Sequence, residues 1–204
     1  MKRKSTIFVV DDDPAVRDSL TLLLEHEDFI VETFDSAEAF LAANRSAPYS
    51  CAIVDIRMAG MDGIQLQTEL ARRSSLLPVI FLTGHGDIPL SVRAIKAGAV
   101  DFLTKPVTGS ALLASVLAAL RESEKLDLQA KANHTASECI SNLTDRERDV
   151  MILAVEGLSN KEIARHLGIS HRTVEIHKAR IMHKTGATTL LDLARIAKAS
   201  GLRN

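Results

Sequence analysis

The stretch CAIVDIRMAGMDG, residues 51–63, joins a run of small and branched apolar residues to an aspartate and then to a polar segment with two glycines. An apolar run of this length that ends in a polar turn is typical of a strand buried on both faces. Four similar runs lie in residues 1–121, namely Ile7–Val10, Phe29–Thr33, Val79–Leu82 and Val100–Leu103.

Amphipathic segments separate these runs and carry recognisable helix starts. Asp13 before Pro14 predicts a capped first turn, and Asp35 with Glu38 has the spacing of a capping box. Parallel strands require crossover connections, so five alternating β and α units predict a parallel sheet with helices on both faces. We expect an α/β flavodoxin-like domain with five strands in the order 2-1-3-4-5.

Polar side chains follow four of the five predicted strands. Asp11 and Asp12 follow the first strand, Asp55 the third, Thr83 the fourth and Lys105 the fifth. The carboxyl ends of parallel strands meet at one edge of a sheet, so these side chains are expected to converge there. Taken one at a time, the aspartates could be helix caps or solvated acids, and the lysine could simply end a strand. Their coincidence at one edge favours a site.

The chemistry of this set indicates magnesium and a phosphoryl group. Three converging carboxylates repel one another unless a cation neutralises them, and hard oxygen ligands suit Mg²⁺. Lys105 offers a point charge and Thr83 a hydroxyl donor for a phosphoryl oxygen. Asp55 ends the central strand and is the candidate nucleophile toward a phosphoryl donor.

Composition restricts the class of protein. The 204 residues are 46% hydrophobic, enough for two small cores, and the two cysteines lie far apart without metal-type spacing. No apolar stretch is long enough to cross a bilayer and no signal-peptide pattern is present, so we expect a cytoplasmic protein without membrane contact.

Charge is divided unevenly along the chain. Residues 1–121 carry a net charge of −3, residues 122–141 of −2 and residues 142–204 of +4. A basic back half predicts a polyanionic partner, and only 3% of the residues are aromatic, which favours duplex DNA over stacked single strands.

The basic half predicts an all-α domain of four short helices that contains a helix-turn-helix. Thr144 with Glu147 and Ser159 with Glu162 have capping-box spacing, and a glycine at 168 separates the two helices of the motif. We expect Val174 and Ile181 to pack inward, leaving an outward face for the major groove; a cationic bundle with no DNA partner is the plainer alternative. The predicted DNA contacts are Asn160, Lys161, Arg172, Thr173, Glu175, Ile176, Lys178, Ala179, Arg180 and Lys184.

Four segments of the front half resemble the receiver domain of two-component response regulators. They are FVVDDD at 8–13, VDIRMAGMDG at 54–63, TG at 83–84 and FLTKP at 102–106. The resemblance implies that Asp55 is the phospho-acceptor and that Asp11 and Asp12 bind Mg²⁺ together with Asp55 and the backbone carbonyl of Arg57. It also implies that Thr83 and Lys105 contact the phosphoryl group and that Phe102 is a rotameric switch; by itself, Phe102 reads as ordinary core.

The back half resembles the DNA-binding domain of the LuxR/NarL/FixJ class. The matching segments are LTDRE at 143–147, GLSNKEIA at 157–164 and RTVEIH at 172–177, whereas Thr185 stands where many members have leucine. We therefore expect a receiver over 1–121, a linker over 122–137 that could extend the preceding helix, and a DNA-binding domain over 138–204.

The resemblance also implies function and partners. The partners would be a sensor histidine kinase, a double-stranded DNA operator, RNA polymerase and, on phosphorylation, a second copy through Ser91–Lys96 and Val100–Thr104. The stretch at 83–106 is similar to FixJ-type nitrogen-fixation regulators, which implies a FixL-like kinase and activation of transcription under low oxygen. No small-molecule turnover is expected beyond loss of the phosphoryl group from Asp55.

Two alternatives remain open on the sequence. One is a constitutive DNA-binding regulator whose receiver is inert and whose helical linker drives association. The other is an Mg²⁺-dependent phosphatase of the haloacid-dehalogenase type, which Asp11, Asp13, Thr83 and Lys105 could mimic; the further acidic pair it would need is missing, because residues 106–121 contain no Asp or Glu.

Overall fold

The computed structural model describes residues 5–43, 47–84 and 98–202. The chain divides into two compact units, Met1–Asp127 and Leu128–Asn204, and each unit has its own hydrophobic core.

From Thr6 to Thr83 the first unit alternates strands and helices as predicted, and residues 85–97, between the fourth and fifth strands, lie outside the described residues. Its elements are β1 (Thr6–Val10), α1 (Pro14–His26), β2 (Ile30–Phe34), α2 (Ala37–Ala43), β3 (Ser50–Asp55), α3 (Gly63–Arg72), β4 (Val79–Thr83), β5 (Asp101–Thr104) and the beginning of α4 (Gly109–Ser141). The five strands are all parallel in the order β2-β1-β3-β4-β5, which confirms the predicted fold class.

The central strands are buried on both faces, which explains why they read as continuous apolar runs. Alternate side chains point to opposite faces, so Phe8 and Val54 pack with α2 and α3, whereas Ile7 and Ile53 pack with α1 and α4. Burial also raises the pKa of the Cys51 thiol to about 12, so this cysteine stays a protonated core residue at neutral pH.

The helix starts follow the predicted caps with one exception. Asp13 caps α1 with Pro14 in its first turn. The predicted capping box of Asp35 and Glu38 is wrong. The Ala39 N–H donates to the Ser36 hydroxyl at 3.4 Å, and the Glu38 carboxylate accepts the Met61 N–H instead of a bond at the helix start.

Helix α4 runs unbroken from Gly109 to Ser141, so it covers the whole predicted linker, residues 122–137, and the first residues of the predicted DNA-binding domain. The reason is a short apolar stripe: Ala136 and Ile140 are one helical turn apart and both are buried, with Ile140 in the core of the second unit.

The second unit continues with four further helices. They are α5 (Asp145–Val155), α6 (Asn160–Leu167), α7 (His171–Thr185) and α8 (Leu190–Ala199). Capping boxes begin α5 at Thr144 and α6 at Ser159, and the left-handed glycines Gly168 and Gly186 end α6 and α7. Within residues 5–43, 47–84 and 98–202, no helix is long and apolar enough to span a membrane.

Candidate functional site

The predicted acidic residues meet at the carboxyl edge of the sheet. Asp11, Asp12 and Asp55 each offer a carboxylate oxygen, and these oxygens all lie within 4.8 Å of one another. Lys105 reaches the same place from the end of β5, with its Nζ 2.6 Å from Asp11 Oδ2 and 3.2 Å from Asp55 Oδ2. Two of the three carboxylates, those of Asp11 and Asp55, therefore share one ammonium group.

Asp55 is the least satisfied member of this cluster. It is 8% exposed, and its Oδ1 atom is buried with no hydrogen-bond partner in the part of the chain that the structure describes. Burial raises the pKa of the Asp55 carboxyl above its ordinary value and the charge of Asp11 adds to the rise, whereas Lys105 opposes it. An under-coordinated, partly desolvated carboxylate at a sheet edge is a candidate reactive group.

Lys105 is held in its charged form by the same neighbours. Burial alone would lower the pKa of its ammonium group, but the hydrogen bond to Asp11 and the charges of both aspartates raise it above the ordinary value. The lysine is thus a fixed positive charge beside Asp55.

The start of α3 approaches the end of β3 very closely. A Cβ atom built on Gly63 would lie 2.5 Å from the Asp55 carbonyl oxygen and 3.1 Å from Phe81 Cε1, so only glycine fits at this position. The Gly63 N–H donates to the Ile56 carbonyl at 3.0 Å, which further fixes the segment between β3 and α3.

Thr83 and Phe102 lie on the strands that flank this edge. Thr83 is fully buried and ends β4 one residue beyond Leu82, the partner of Asp55 in the sheet register. Its carbonyl accepts the Lys105 N–H at 2.7 Å, which ties the lysine backbone to β4. Phe102 is half-buried against the core that faces α2 and α3.

The donor set fits a magnesium ion. Its oxygens are hard carboxylate ligands gathered at one point, and the orphaned Asp55 Oδ1 leaves a buried acceptor for a cation or a donor to satisfy. The Arg57 carbonyl belongs to the adjoining loop and stays a predicted ligand.

Sequence reasoning missed three residues that support the site. An Arg17 guanidinium nitrogen (Nη1) donates to the Asp11 carbonyl at 2.6 Å, the Ala59 N–H donates to Asp12 Oδ2 at 3.2 Å and Glu38 Oε1 accepts the Met61 N–H at 2.9 Å. Only Glu38 had a visible signal, its spacing from Asp35, and that signal pointed to a different bond.

The outward face of α7 forms as predicted in the second unit. Val174 and Ile181 are fully buried, and Ser170 caps the helix. The predicted contacts on α7 that are exposed are Arg172, Glu175, Ile176, Ala179, Arg180 and Lys184. Ile176 is 44% exposed, an apolar side chain among charged neighbours on this face.

Several other predicted DNA contacts make internal bonds. Lys178 Nζ donates to Asn160 Oδ1 at 2.6 Å and so links α7 to the start of α6. The Thr173 hydroxyl lies 2.7 Å from the Ser170 hydroxyl at the cap. Lys161 on α6 is exposed.

Lys184 makes the shortest ion pair of the second unit. Its Nζ lies 2.7 Å from Oε2 of Glu147, whose side chain is 3% exposed, and it also donates to the Asn142 carbonyl at 3.1 Å. A phosphate contact by Lys184 would therefore compete with this internal pair.

Family models match both units. The model described as response regulator receiver domain matches residues 7–117, and the model described as bacterial regulatory proteins, luxR family, matches residues 141–197. The chain belongs to the response regulators that combine a receiver domain with a LuxR-type DNA-binding domain, a class of phosphorylation-activated transcription regulators.

Curated relatives and solved structures are similar to this chain over nearly its whole length. The transcriptional regulatory protein FixJ of Bradyrhizobium diazoefficiens is 42% identical over 204 residues, which is 100% of both chains. The response regulator protein TodT of Pseudomonas putida is 40% identical over 96% of this chain and 86% of its own. Among solved structures, the response regulator StyR superposes with a TM-score of 0.80 at 42% identity, covering 96% of this chain and 98% of StyR. Full-length FixJ from B. japonicum gives a TM-score of 0.59 at 42% identity, covering 98% and 99%.

Proposed function

We propose that Asp55 accepts a phosphoryl group from a sensor histidine kinase and that this modification switches the chain into a DNA-binding dimer that activates transcription. The observation that carries the proposal is the buried Asp55 carboxylate, whose Oδ1 has no hydrogen-bond partner among the described residues and which lies beside Lys105, Asp11 and Asp12.

The transfer forms one bond and breaks one. An Asp55 oxygen attacks the phosphorus of a phosphohistidine, the new O–P bond forms, and the N–P bond breaks with the electron pair left on the imidazole. Mg²⁺ held by Asp11, Asp12, Asp55 and the Arg57 carbonyl would neutralise phosphoryl charge. Lys105 supplies a fixed positive charge beside the acceptor, and Thr83 would donate a hydrogen bond to the transferred group.

Phosphorylated Asp55 would differ from the free carboxylate mainly in charge. Phosphorylation adds about −1.5 to −2 charges next to Lys105, enough to reorganise the partners of that lysine. The resulting coupling would be about 1–3 kcal/mol, the usual scale for allosteric change, and would shift a dimerisation equilibrium without rebuilding the fold. Of the predicted dimer surface, Ser91–Lys96 lies outside the described residues, and Phe102 lies in the second part, Val100–Thr104.

DNA recognition is assigned to the outward face of α7. Ile176 is placed against a thymine methyl, and Arg172 and Arg180 against base edges or phosphates. Asn160 and Lys161 at the start of α6 are placed at the backbone, where a helix N-terminus favours phosphate.

The likeness to FixJ carries the remaining assignments. We place the chain in the cytoplasm, with a FixL-like kinase as phosphoryl donor, RNA polymerase as a further partner and nitrogen-fixation genes under low oxygen as targets. We propose no small-molecule turnover apart from hydrolysis of the aspartyl phosphate.

The decisive experiment is the solution mass by light scattering, measured with Mg²⁺ alone and with Mg²⁺ plus beryllofluoride as an aspartyl-phosphate mimic. We expect a monomer that doubles in mass only with the mimic, whereas Asp55→Asn stays monomeric under both conditions. No change in the wild-type mass would contradict activation by dimerisation and favour an inert receiver.

A second experiment tests the DNA-binding face. Ile176→Ala is expected to reduce operator affinity by about 1–3 kcal/mol while leaving affinity for random DNA unchanged, because a methyl contact reads sequence and a phosphate contact does not. Equal losses on operator and random DNA would overturn the proposed docking of α7.

A further inference from the structure

We propose that Glu38 is a positioning residue for the cation of the acidic site and that it acts by holding the loop between β3 and α3. This loop, residues 56–62, is called the acceptor loop below. The inference rests on the proposed function, because the cation concerned is the Mg²⁺ of the phosphoryl-acceptor site.

The two ends of the acceptor loop are fixed by the backbone. The Ile56 N–H donates to the Leu82 carbonyl at 3.0 Å, and the Gly63 N–H donates to the Ile56 carbonyl at 3.0 Å. The Ile56 and Met58 side chains are buried in the core and anchor the same end. These bonds leave the middle of the loop to be held by other groups.

Two carboxylates from other elements hold that middle part. Asp12 Oδ2, from the β1–α1 connection, accepts the Ala59 N–H at 3.2 Å, and Glu38 Oε1, from α2, accepts the Met61 N–H at 2.9 Å. Hydrogen bonds from a neutral donor to a charged acceptor are stronger than neutral pairs, so each bond is a real restraint on the loop.

Gly60, between these two bonds, shows how closely Glu38 fits the loop. It adopts φ +77°, and a Cβ atom built on it would lie 2.9 Å from Glu38 Oε1. The carboxylate therefore lies directly over the Gly60 backbone, in space that any other residue would occupy.

The two carboxylates differ in what happens when a cation binds. Asp12 is one of the three acids gathered at the site, so Mg²⁺ would bind the same carboxylate that accepts the Ala59 N–H. Glu38 is outside that group of acids and can keep its bond to Met61. Mg²⁺ demands a strict ligand geometry, so a loop that carries a ligand carbonyl must be held in place. Groups that orient ligands in this way commonly change metal affinity when they are removed.

The test measures Mg²⁺ affinity of the full chain by titration calorimetry. Glu38→Ala is expected to weaken Mg²⁺ binding about tenfold, the scale found when a group that orients metal ligands is lost. Glu38→Gln keeps an oxygen acceptor in the same position and should stay within about threefold of the wild type. Glu25→Ala removes an exposed carboxylate from the last turn of α1 and serves as the control, for which we expect unchanged Mg²⁺ affinity.

Thermal unfolding without Mg²⁺ separates positioning from plain structural support. A purely structural Glu38 would lower the melting temperature of Glu38→Ala and leave the Mg²⁺ affinity of the folded protein unchanged, and that result would overturn the inference. If Glu38→Ala does not fold, Gly60→Ala is the second variant, because its methyl group would displace the carboxylate; Mg²⁺ affinity equal to that of the wild type would count against the proposal.

The wild type and Asp12→Ala distinguish a failure of the cation site from a failure of the role given to Glu38. If the wild type does not bind Mg²⁺, the proposed cation site fails and this inference fails with it. If the wild type binds Mg²⁺, Asp12→Ala loses binding and Glu38→Ala keeps it, then the site stands and only the role of Glu38 is wrong.

Discussion

The two units each contain a short ion pair between a lysine and a buried carboxylate, and the two pairs have different surroundings. Lys105 Nζ lies 2.6 Å from Asp11, and Lys184 Nζ lies 2.7 Å from Glu147. Distance alone does not separate them. What separates them is how completely the groups around each pair are satisfied.

In the second unit the pair is complete. Glu147 accepts bonds from Lys184 and from the Thr144 N–H, and Lys184 also donates to the Asn142 carbonyl. One acid meets one base, and the pair ties α7 to the start of α5. Such an arrangement holds a domain together.

In the first unit the pair is incomplete. Lys105 faces Asp11 and Asp55, Asp12 lies within reach of both acids, and Asp55 Oδ1 has no partner among the described residues. Negative charge that the described residues leave uncompensated favours binding of a cation, or of a phosphoryl group together with its cation. A complete pair therefore indicates a structural role, whereas an incomplete pair indicates a binding site.

Lys184→Met gives the largest expected loss of stability. It leaves the Glu147 carboxylate buried without its cation, so we expect the second unit to lose about 2–3 kcal/mol of unfolding free energy, less than a wholly buried pair because Lys184 is partly exposed. Hydrogen exchange of amides in α5 and α7 measures this loss separately from the first unit. Lys161→Met, on the exposed side of α6, is the matched control.

The same pair predicts a pH dependence. The hydrogen bond from Lys184, followed by that from the Thr144 backbone, lowers the pKa of Glu147 from 4.5 to about 2. A lowered folded-state pKa contributes stability that is present above pH 4.5 and is lost as pH falls toward 2. Lys184→Met should flatten this acid limb, and an unchanged limb would mean that the pair does not stabilise the fold.

Lys105→Met is expected to behave differently although its ion pair is as short. Without Mg²⁺ the first unit should lose about 1–2 kcal/mol, because three carboxylates then face one another without a cation. Saturating Mg²⁺ should restore most of that loss, since binding to the native state alone adds about 2.7 kcal/mol at a hundredfold excess over Kd. Hydrogen exchange of β1 and β3 with and without Mg²⁺ measures both effects. A loss that Mg²⁺ does not restore would mean that the Lys105 pair is structural, like the Lys184 pair.

The complete and incomplete pairs were not equally visible in the sequence. Asp11, Asp12, Asp55 and Lys105 follow separate strands, and parallel-sheet geometry alone brings strand ends together. Glu147 is visible only as a capping residue, because nothing in a one-dimensional pattern pairs it with Lys184, 37 residues away. The strands and caps follow local rules, whereas partner choice depends on packing between elements.

Glu38 also has a distant partner that its local sequence pattern does not reveal. Its spacing from Asp35 predicts a local capping bond, but its carboxylate bonds to Met61 instead, 23 residues away. The sequence left the continuity of α4 open for a related reason, because the apolar stripe at its end is only Ala136 and Ile140, both buried, with Ile140 in the core of the second unit.

Asp55→Asn is expected to change the stability of the first unit by a smaller amount and in the opposite direction. An amide removes the buried charge and offers a donor, so we expect the first unit to gain about 1 kcal/mol without Mg²⁺, the scale of one unsatisfied buried group. Burial raises the pKa of Asp55, so its ionisation costs stability as pH rises through and above its ordinary value, and the asparagine should remove that slope. Denaturation followed from pH 4 to 8 checks both; a destabilised variant would show that the Asp55 charge is already compensated.

Lys178→Met has the smallest expected effect and tests whether the rule extends to a neutral partner. Lys178 Nζ bonds to Asn160 at 2.6 Å, and burial lowers its pKa, so this lysine resembles Lys184 more than a free phosphate contact. We expect Lys178→Met to change the slope of log affinity for DNA against log salt concentration by less than about 0.5. Arg180→Met, on the exposed face, should reduce the magnitude of that slope by about 1. A reduction of about 1 in Lys178→Met would mean that the lysine leaves Asn160 for a phosphate. In that case a satisfied neutral partner does not mark a structural residue, and only a complete charge pair such as Lys184–Glu147 does.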